Sequence, residues 1–337
     1  MKYQWFSGID VSKHQLDITV YKGAERQFHV SIPNTIKEIR IFIKSLVQKQ
    51  NIELPDMIFC MEHTGIYNSV FLQATQEFKL NVCVESSVQI KQSGGLQRGK
   101  NDKIDSNRIA LYAFKNCEFL KLWEPERKVI TELRKLGTLR ARLINARKQL
   151  LAGIREEKTF SSKNINNRLE TCCKGSLHSL EKDIETTDEA IEAVIATDGE
   201  LKRLFAIIES VPGIGKVTAA EIVINTNEFK RINDPRKYAC YAGIAPFEHS
   251  SGTSVRGKVR VSKKANMQAK SLIHMASMAA ARFSEDLKIY YERKVAEGKN
   301  KMSVLNAIKN KLIHRIFACV NQNRLYQKNY IRDLVLS

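Results

Sequence analysis

This sequence has no cysteine pairs at metal- or redox-site spacing. Its seven cysteines are scattered without a C-x-x-C, and Cys172 and Cys173 are adjacent, which suits neither an ordinary disulfide nor a zinc knuckle. A reducing, cytosolic compartment is expected. No run approaches the ~18 apolar residues of a membrane span, and the N-terminus lacks the apolar core of a signal peptide. Internal repeats and low-complexity tracts are absent too. Acidic residues are in short supply, 36 against 55 basic, for a net charge of +19. A field of that sign calls for a polyanionic partner, most commonly nucleic acid. An acidic membrane is the weaker option, because no long basic amphipathic helix supports it.

What is present is a chain of 337 residues, 43% hydrophobic and 27% charged, as in a soluble globular protein of two or three domains. Residues 1–115 hold 15 basic against 11 acidic side chains, 116–200 hold 15 against 15, and 201–337 hold 25 against 10. The last segment should therefore carry much of any phosphate contact.

These three segments also differ in pattern, and we take them as domains. In 1–115, strands are expected at Trp5–Val11, Leu16–Tyr21, Gln27–Ile32, Met57–Cys60 and Leu80–Val84. Helices are expected from Thr35, a cap with Glu38 three residues on, to Val47, and over Tyr67–Phe78 and Asp102–Phe114. That order implies a mixed sheet with helices on its faces. In 116–200, Val129–Ile154 carries leucines at helical spacing. A polar break at Ser161–Asn167 follows, then a second helix from about Leu177 to Ile208. This reads as an antiparallel coiled-coil arm, a natural oligomerisation device, or as a plain helical bundle. In 201–337, SVPGIGKVTAAEIV precedes a polar loop, HSSGTSVRGKVR, and helices near Met267–Phe283 and Met302–Val320. The fold class is α/β plus α.

Asp10 is a carboxylate inside the apolar run of FSGIDV, where burial disfavours charge. Glu62 ends a later strand in MEHTG, and Asp102 and Asp105 lie three apart at a helix start. Carboxylates at strand ends and on a following helix can converge at one end of a sheet, where α/β folds place their sites. Four negative charges there need counter-ions, and two Mg²⁺ ions about 4 Å apart would serve and would clamp a phosphodiester. The bland alternative is a set of turn and cap residues, with Arg98, Lys100 and Lys103 as partners. VPGIG between two helical stretches fits a helix-hairpin-helix, with Gly213, Gly215 and Lys216 at a phosphate, or a tight turn between packed helices. In the polar loop, Ser250, Ser251 and Ser254 stand beside Arg256, Lys258 and Arg260. A serine here is either a nucleophile or part of a solvated phosphate contact, and His249 either a base or a surface residue.

In this order, GIDVSK, MEHTGIY, GGLQRGKNDKIDSNRIA, VPGIGKVTAAEI and YAGIAPFEHSSGTSVRGKVR resemble the DEDD-type insertion-sequence transposases of the IS110 family, also described as bridge-RNA-guided recombinases. The similarity covers nearly the whole chain, more loosely in the middle, and the five motifs show no departure. It implies an N-terminal RNase H-like (RuvC-like) domain whose metal-binding tetrad is Asp10, Glu62, Asp102 and Asp105. It also implies a C-terminal transposase domain whose serine joins covalently to DNA. By motif that serine is Ser251, directly before a glycine, with Ser250 its competitor. The implied partners are donor and target DNA, a structured guide RNA and further copies of the chain. In such a dimer or tetramer one protomer's acidic site is completed by another's serine loop. A cytoplasmic, nucleoid-associated protein of a bacterium or archaeon is implied.

Three rivals stand beside a transposase. A metal-dependent junction-resolving endonuclease would use the same carboxylates with water as nucleophile and leave no covalent adduct. An actin- or hexokinase-like ATPase also begins with GID and a strand hairpin, but a glycine-rich second phosphate loop is missing. A non-catalytic nucleic-acid-binding protein would show steep salt dependence and no chemistry.

Overall fold

The computed structural model describes residues 2–94, 101–251, 255–261 and 265–328, with the backbone alone for 246–251 and 255–261. The chain divides into two compact units, Met1–Pro125 and Glu126–Ser337.

The first unit runs β1 (Trp5–Val11), β2 (Gln15–Lys22), β3 (Glu25–Pro33), α1 (Ile36–Gln48), β4 (Met57–Glu62), α2 (Ser69–Phe78), β5 (Asn81–Glu85), α3 (Ser87–Ser93) and α4 (Asp102–Lys115). The sheet order is β3-β2-β1-β4-β5, and β2 alone runs against its neighbours. This is the mixed sheet that the alternation of patterns predicts, with α3 as the element it missed. Strand alternation sorts the side chains onto two faces. Ile9, Val11, Phe59, Met61 and Val82 pack with α1 and α2. Phe6, Ile58, Cys60 and Cys83 pack with Ile109, Ala110 and Ala113 of α4.

Gly8 explains how closely α4 lies on β1. A Cβ there would meet Ser106 O and Ala110 N at 2.1 Å, so only glycine admits the helix. Side-chain hydrogen bonds then fix the position of α4. Thr19 and Ser106 hydroxyls meet at 2.8 Å in the interior, and Tyr21 donates to Asn107 Oδ1 at 2.7 Å.

The second unit opens with α5 (Lys128–Phe160) and α6 (Lys163–Thr197). Ion pairs Arg140–Asp188, Arg147–Glu181 and Lys158–Glu170 show the two to be antiparallel. Of the expected leucine seam, Leu133 is buried while Leu139 and Leu150 are exposed. The expected polar break shrinks to Ser161-Ser162. Residues 163–176 are poor helix formers, but pairing against α5 holds them helical, so tertiary contact overrides propensity. The break falls instead at Asp198, whose side chain accepts from Leu201 N and caps the next helix.

That helix is α7 (Gly199–Glu209), followed by α8 (Lys216–Thr226), α9 (Pro235–Tyr241), β6 (Pro246–Ser251), β7 (Val255–Val261), α10 (Met267–Phe283), α11 (Glu285–Ala296) and α12 (Lys301–Asn321). One core joins Ile130 and Leu133 of α5 and Ile191 and Val194 of α6 to α7–α12. The segment expected as a polar loop is an antiparallel strand pair instead, with Ser250 opposite Arg256 and Ser251 opposite Val255. The period-two pattern V-R-G-K-V-R-V of β7 is the strand signal, which the high charge obscured. Among the described residues no helix is long and apolar enough to cross a membrane, and the seven cysteines are free thiols.

Candidate functional site

Asp10 stands on the α4 face of the sheet, two residues beyond Gly8. Burial, then the negative charges of Asp102, Asp105, Glu62 and Asp17, push its carboxyl up to about 6 from an ordinary 3.8. The other three carboxylates singled out in the sequence therefore each lie within electrostatic reach of Asp10. Asp10 belongs to β1 and Glu62 ends the adjacent parallel strand β4. Asp102 and Asp105 occupy the first turn of α4, which Asn101 caps by accepting from Ile104 N at 2.8 Å. The loop after Glu62 is pinned by Asn68, which donates to Glu62 O at 2.8 Å and accepts from Thr64 N at 2.8 Å. Asn34 ties the same loop to the β1–β2 turn by donating to Tyr67 O and Ser12 O.

The fate of each charge differs. Asp105 accepts from Arg108 at 2.8 Å, one turn along α4, so its partner is Arg108 and not Lys103. Arg98, Lys100 and most of GGLQRGK lie outside the described residues. Asp17, directly opposite Asp10 in the β1–β2 register, accepts from Ser31 at 2.5 Å and Gln15 at 2.9 Å, with His29 Nε2 at 3.3 Å. Asp10 has no hydrogen bond or ion pair among the described residues. Asp17, and Glu85 opposite Glu62, are acidic neighbours that strand-by-strand reading missed. Finding them requires the pairing register.

The donor set fits a hard divalent cation. Carboxylate oxygens are its preferred ligands, and an unpartnered, half-buried Asp10 among like charges lacks a counter-ion. Among the described residues, however, no three acidic, histidine or cysteine side chains stand close enough together to hold an ion as they are. Like charges repel, and Arg108 already draws Asp105 towards itself.

In the second unit, the VPGIG turn joins α7 to α8. Gly213 has φ +86°, and a Cβ would meet Ala276 O of α10 at 2.6 Å, so this glycine serves packing. Gly215 is the N-cap of α8, and a Cβ added there would meet nothing within 4 Å, so packing does not demand glycine at this position. Lys216 donates to Glu192 of α6, so its charge is already shared. A cavity of about 630 Å³ between α5, α6, α8 and α10 is walled by Ile144, Val217 and Leu272, and its Arg140 pairs with Asp188. The backbone places Ser250 and Ser251 at the end of β6 and Arg256, Lys258 and Arg260 along β7. The side chains of these residues and of His249, and all of Ser254, lie outside the described residues.

The residues flanking the strand pair are held to the helices around them. Asn266, which caps α10, donates through its backbone to Tyr241 O and through Nδ2 to Tyr241 Oη, both at 2.9 Å. Tyr241 in turn donates to Asn225 Oδ1 at 3.1 Å, and Asn306 of α12 donates to Ile244 O at 2.9 Å.

Comparison with known proteins places these features in a family context. A model of DEDD-type IS110 transposases matches residues 7–157, and one described as transposase IS116/IS110/IS902 family matches residues 205–292. The pilin gene-inverting protein of Moraxella bovis is 26% identical over 239 residues, covering 68% of this chain and 69% of its own length. The insertion element IS110 43.6 kDa protein of Streptomyces coelicolor is 29% identical over 138 residues, 41% of this chain and 34% of its own. Among solved structures, Thermus thermophilus RuvC aligns with 35% of this chain and 99% of its own at 16% identity, with a TM-score of 0.28.

Proposed function

We propose that the chain, which matches IS110-family DEDD transposase models over residues 7–157 and 205–292, cuts and rejoins DNA through the acidic face of its first unit and a serine of its β6–β7 hairpin. The observation that carries this reading is Asp10, a carboxyl pushed up to about 6 by burial and by Asp102, Asp105 and Glu62, with no donor among the described residues.

Asp10, Glu62, Asp102 and Asp105 would hold the divalent metal, by expectation two Mg²⁺ ions. Bound there, such ions orient a scissile phosphodiester and neutralise charge that develops on it. Ser251 is the proposed nucleophile. Its Oγ forms a bond to phosphorus, the bond from phosphorus to the 3′ oxygen breaks, and the leaving oxygen takes up a proton. The serine loses its proton as it attacks. The strand stays linked to the protein as a phosphoserine ester, which conserves the bond for a second 3′ hydroxyl to attack in rejoining. Arg256, Lys258 and Arg260 grip the neighbouring phosphates, and Gly215 and Lys216 offer a further contact at the start of α8. Gly213 we assign to packing.

The proposal extends to the partners. A structured RNA pairs with donor and target DNA, so that base pairing reads sequence while the protein reads backbone and shape. A homo-oligomer supplies the acidic face of one protomer and the serine hairpin of another. The long α5–α6 pair is the proposed contact between copies.

The decisive experiment traps the covalent intermediate. Protein incubated with labelled DNA, guide RNA and Mg²⁺ is expected to carry label through denaturing electrophoresis, and Ser251→Ala to lose it while still binding DNA. A labelled adduct that survives Ser251→Ala and disappears with Ser250→Ala would move the nucleophile. Cleavage with no adduct in any variant would favour a water-using endonuclease.

A further inference from the structure

Lys309 lies in the middle of α12 and is only 5% exposed. Most buried lysines are paired, because an isolated ammonium loses its hydration on burial. This one has no hydrogen bond or ion pair among the described residues, and no described carboxylate offsets its charge. Its charged neighbours are basic. Lys270, on the first turns of α10, and His274, one turn further along the same face, both lie within electrostatic reach. The first turn of α10 holds no acidic residue, so the positive end of its dipole adds to the same field. His274 Nδ1 is buried and has no partner.

This arrangement costs stability as it stands. Burial and the neighbouring Lys270 hold the Lys309 ammonium below its ordinary range, and burial with Lys309 keeps His274 neutral at pH 7. A neutral imidazole can still donate one N–H, and two ammonium groups beside it are strong donors. An anion would supply what all three lack.

The location identifies which anion. Asn306, one turn before Lys309 on α12, donates to Ile244 O just ahead of β6. Asn266, the cap of α10, follows β7 and is tied to Tyr241. Lys309 and Lys270 therefore lie about one turn from Asn306 and Asn266, which are bonded to or border the residues flanking the serine hairpin, and His274 lies a turn further along α10. We infer that Lys270, His274 and Lys309 form a binding site for a backbone phosphate of the DNA strand presented to the β6–β7 hairpin. The inference rests on the reading of that hairpin as the DNA-cleaving element. It goes beyond that reading by giving the hairpin a fixed phosphate anchor in the helical body, separate from the arginines and lysine it carries.

The test measures binding of the full chain to a mixed-sequence DNA duplex over a range of salt concentrations. Lys309→Met keeps the apolar stem and removes the charge. It should weaken binding several-fold and reduce the slope of log K against log salt by about one. Its melting temperature should be no lower than that of the parent, because an uncompensated charge has gone. The double variant Lys270→Gln/His274→Gln should behave in the same direction. Unchanged affinity and slope in both variants would overturn the inference, as would a loss confined to a mixed-sequence RNA duplex. The serine reading fails separately: if Ser251→Ala and Ser250→Ala both keep the covalent adduct while Lys309→Met binds DNA poorly, the phosphate site stands and the nucleophile does not.

Discussion

The two units each hold a charge that their surroundings leave unanswered, and the signs are opposite. On the α4 face of the first, Asp10 faces Asp102, Asp105, Glu62 and Asp17 without a described donor. In the second, Lys309 faces Lys270 and His274 without a described carboxylate. Elsewhere the chain answers its buried charges. Asp17 is held by Ser31 and Gln15, and the buried Glu228 accepts from Arg127, which also binds Asp198 at 2.7 Å. An unpaired buried charge is costly, and we read each of these two as a place for a group from outside the chain. A DNA backbone with divalent counter-ions brings both complements, cations for the first unit and phosphates for the second.

The sharpest way to break this comparison is to remove the charge of Asp10 while keeping its shape. Asp10→Asn should lower strand exchange by about a thousandfold or more if the four carboxylates work as one metal site. An exchange assay showing parent-like turnover would separate the acidic face from the chemistry.

Gly8→Ala tests the support beneath that face. The added Cβ would meet backbone atoms of Ser106 and Ala110 at 2.1 Å, and neither can swing aside as a side chain could. A loss of about 3 kcal/mol or more is expected in chemical denaturation, because α4 must lift from β1. A variant of parent stability would mean that α4 does not lie where Asp102 and Asp105 can reach Asp10.

The smallest effect concerns pH. With its carboxyl at about 6 in the fold against 3.8 outside it, Asp10 binds its proton more tightly when folded. The stabilisation from protonation is therefore complete below about 3.8 and is lost as pH rises through about 6. At pH 7 without divalent cations, Asp10→Asn should be more stable than the parent by about 1 kcal/mol, allowing for solvent screening of a half-exposed group. The gap should close near pH 4, and Mg²⁺ at pH 7 should narrow it by stabilising the parent. A gap that ignores both pH and Mg²⁺ would show that charge at Asp10 is not its origin.

Much of the first unit was legible in advance. Alternation in TrpPheSerGlyIleAspVal and the apolar run to Glu62 carry enough local information to place β1 and β4, and Asp102 and Asp105, three apart, mark the start of α4, although its Asn101 cap was not read in advance. Asp17 and Glu85 escaped because their membership of the same face depends on which strands pair and in what register. In the second unit, the hairpin was written in the alternation of residues 255–261, but charge there suggested a loop. Lys309 was overlooked: it falls in phase with Leu305, Leu312, Ile313 and Ile316 on the apolar face of α12, which Lys311 does not, but only the tertiary packing shows that it lacks a partner among the described residues.

By itself, the sequence determined most of the order of elements in the first unit, the positions of the carboxylates at strand ends and a helix start, and the overall excess of positive charge. Those properties follow from near neighbours and from summed charge. Only the tertiary structure decided that Gly8 admits α4, that Gly213 packs against α10, and that Asp10 and Lys309 have no partner among the described residues. Compensation of a buried charge depends on groups brought together from distant parts of the chain, and packing alone decides which groups arrive.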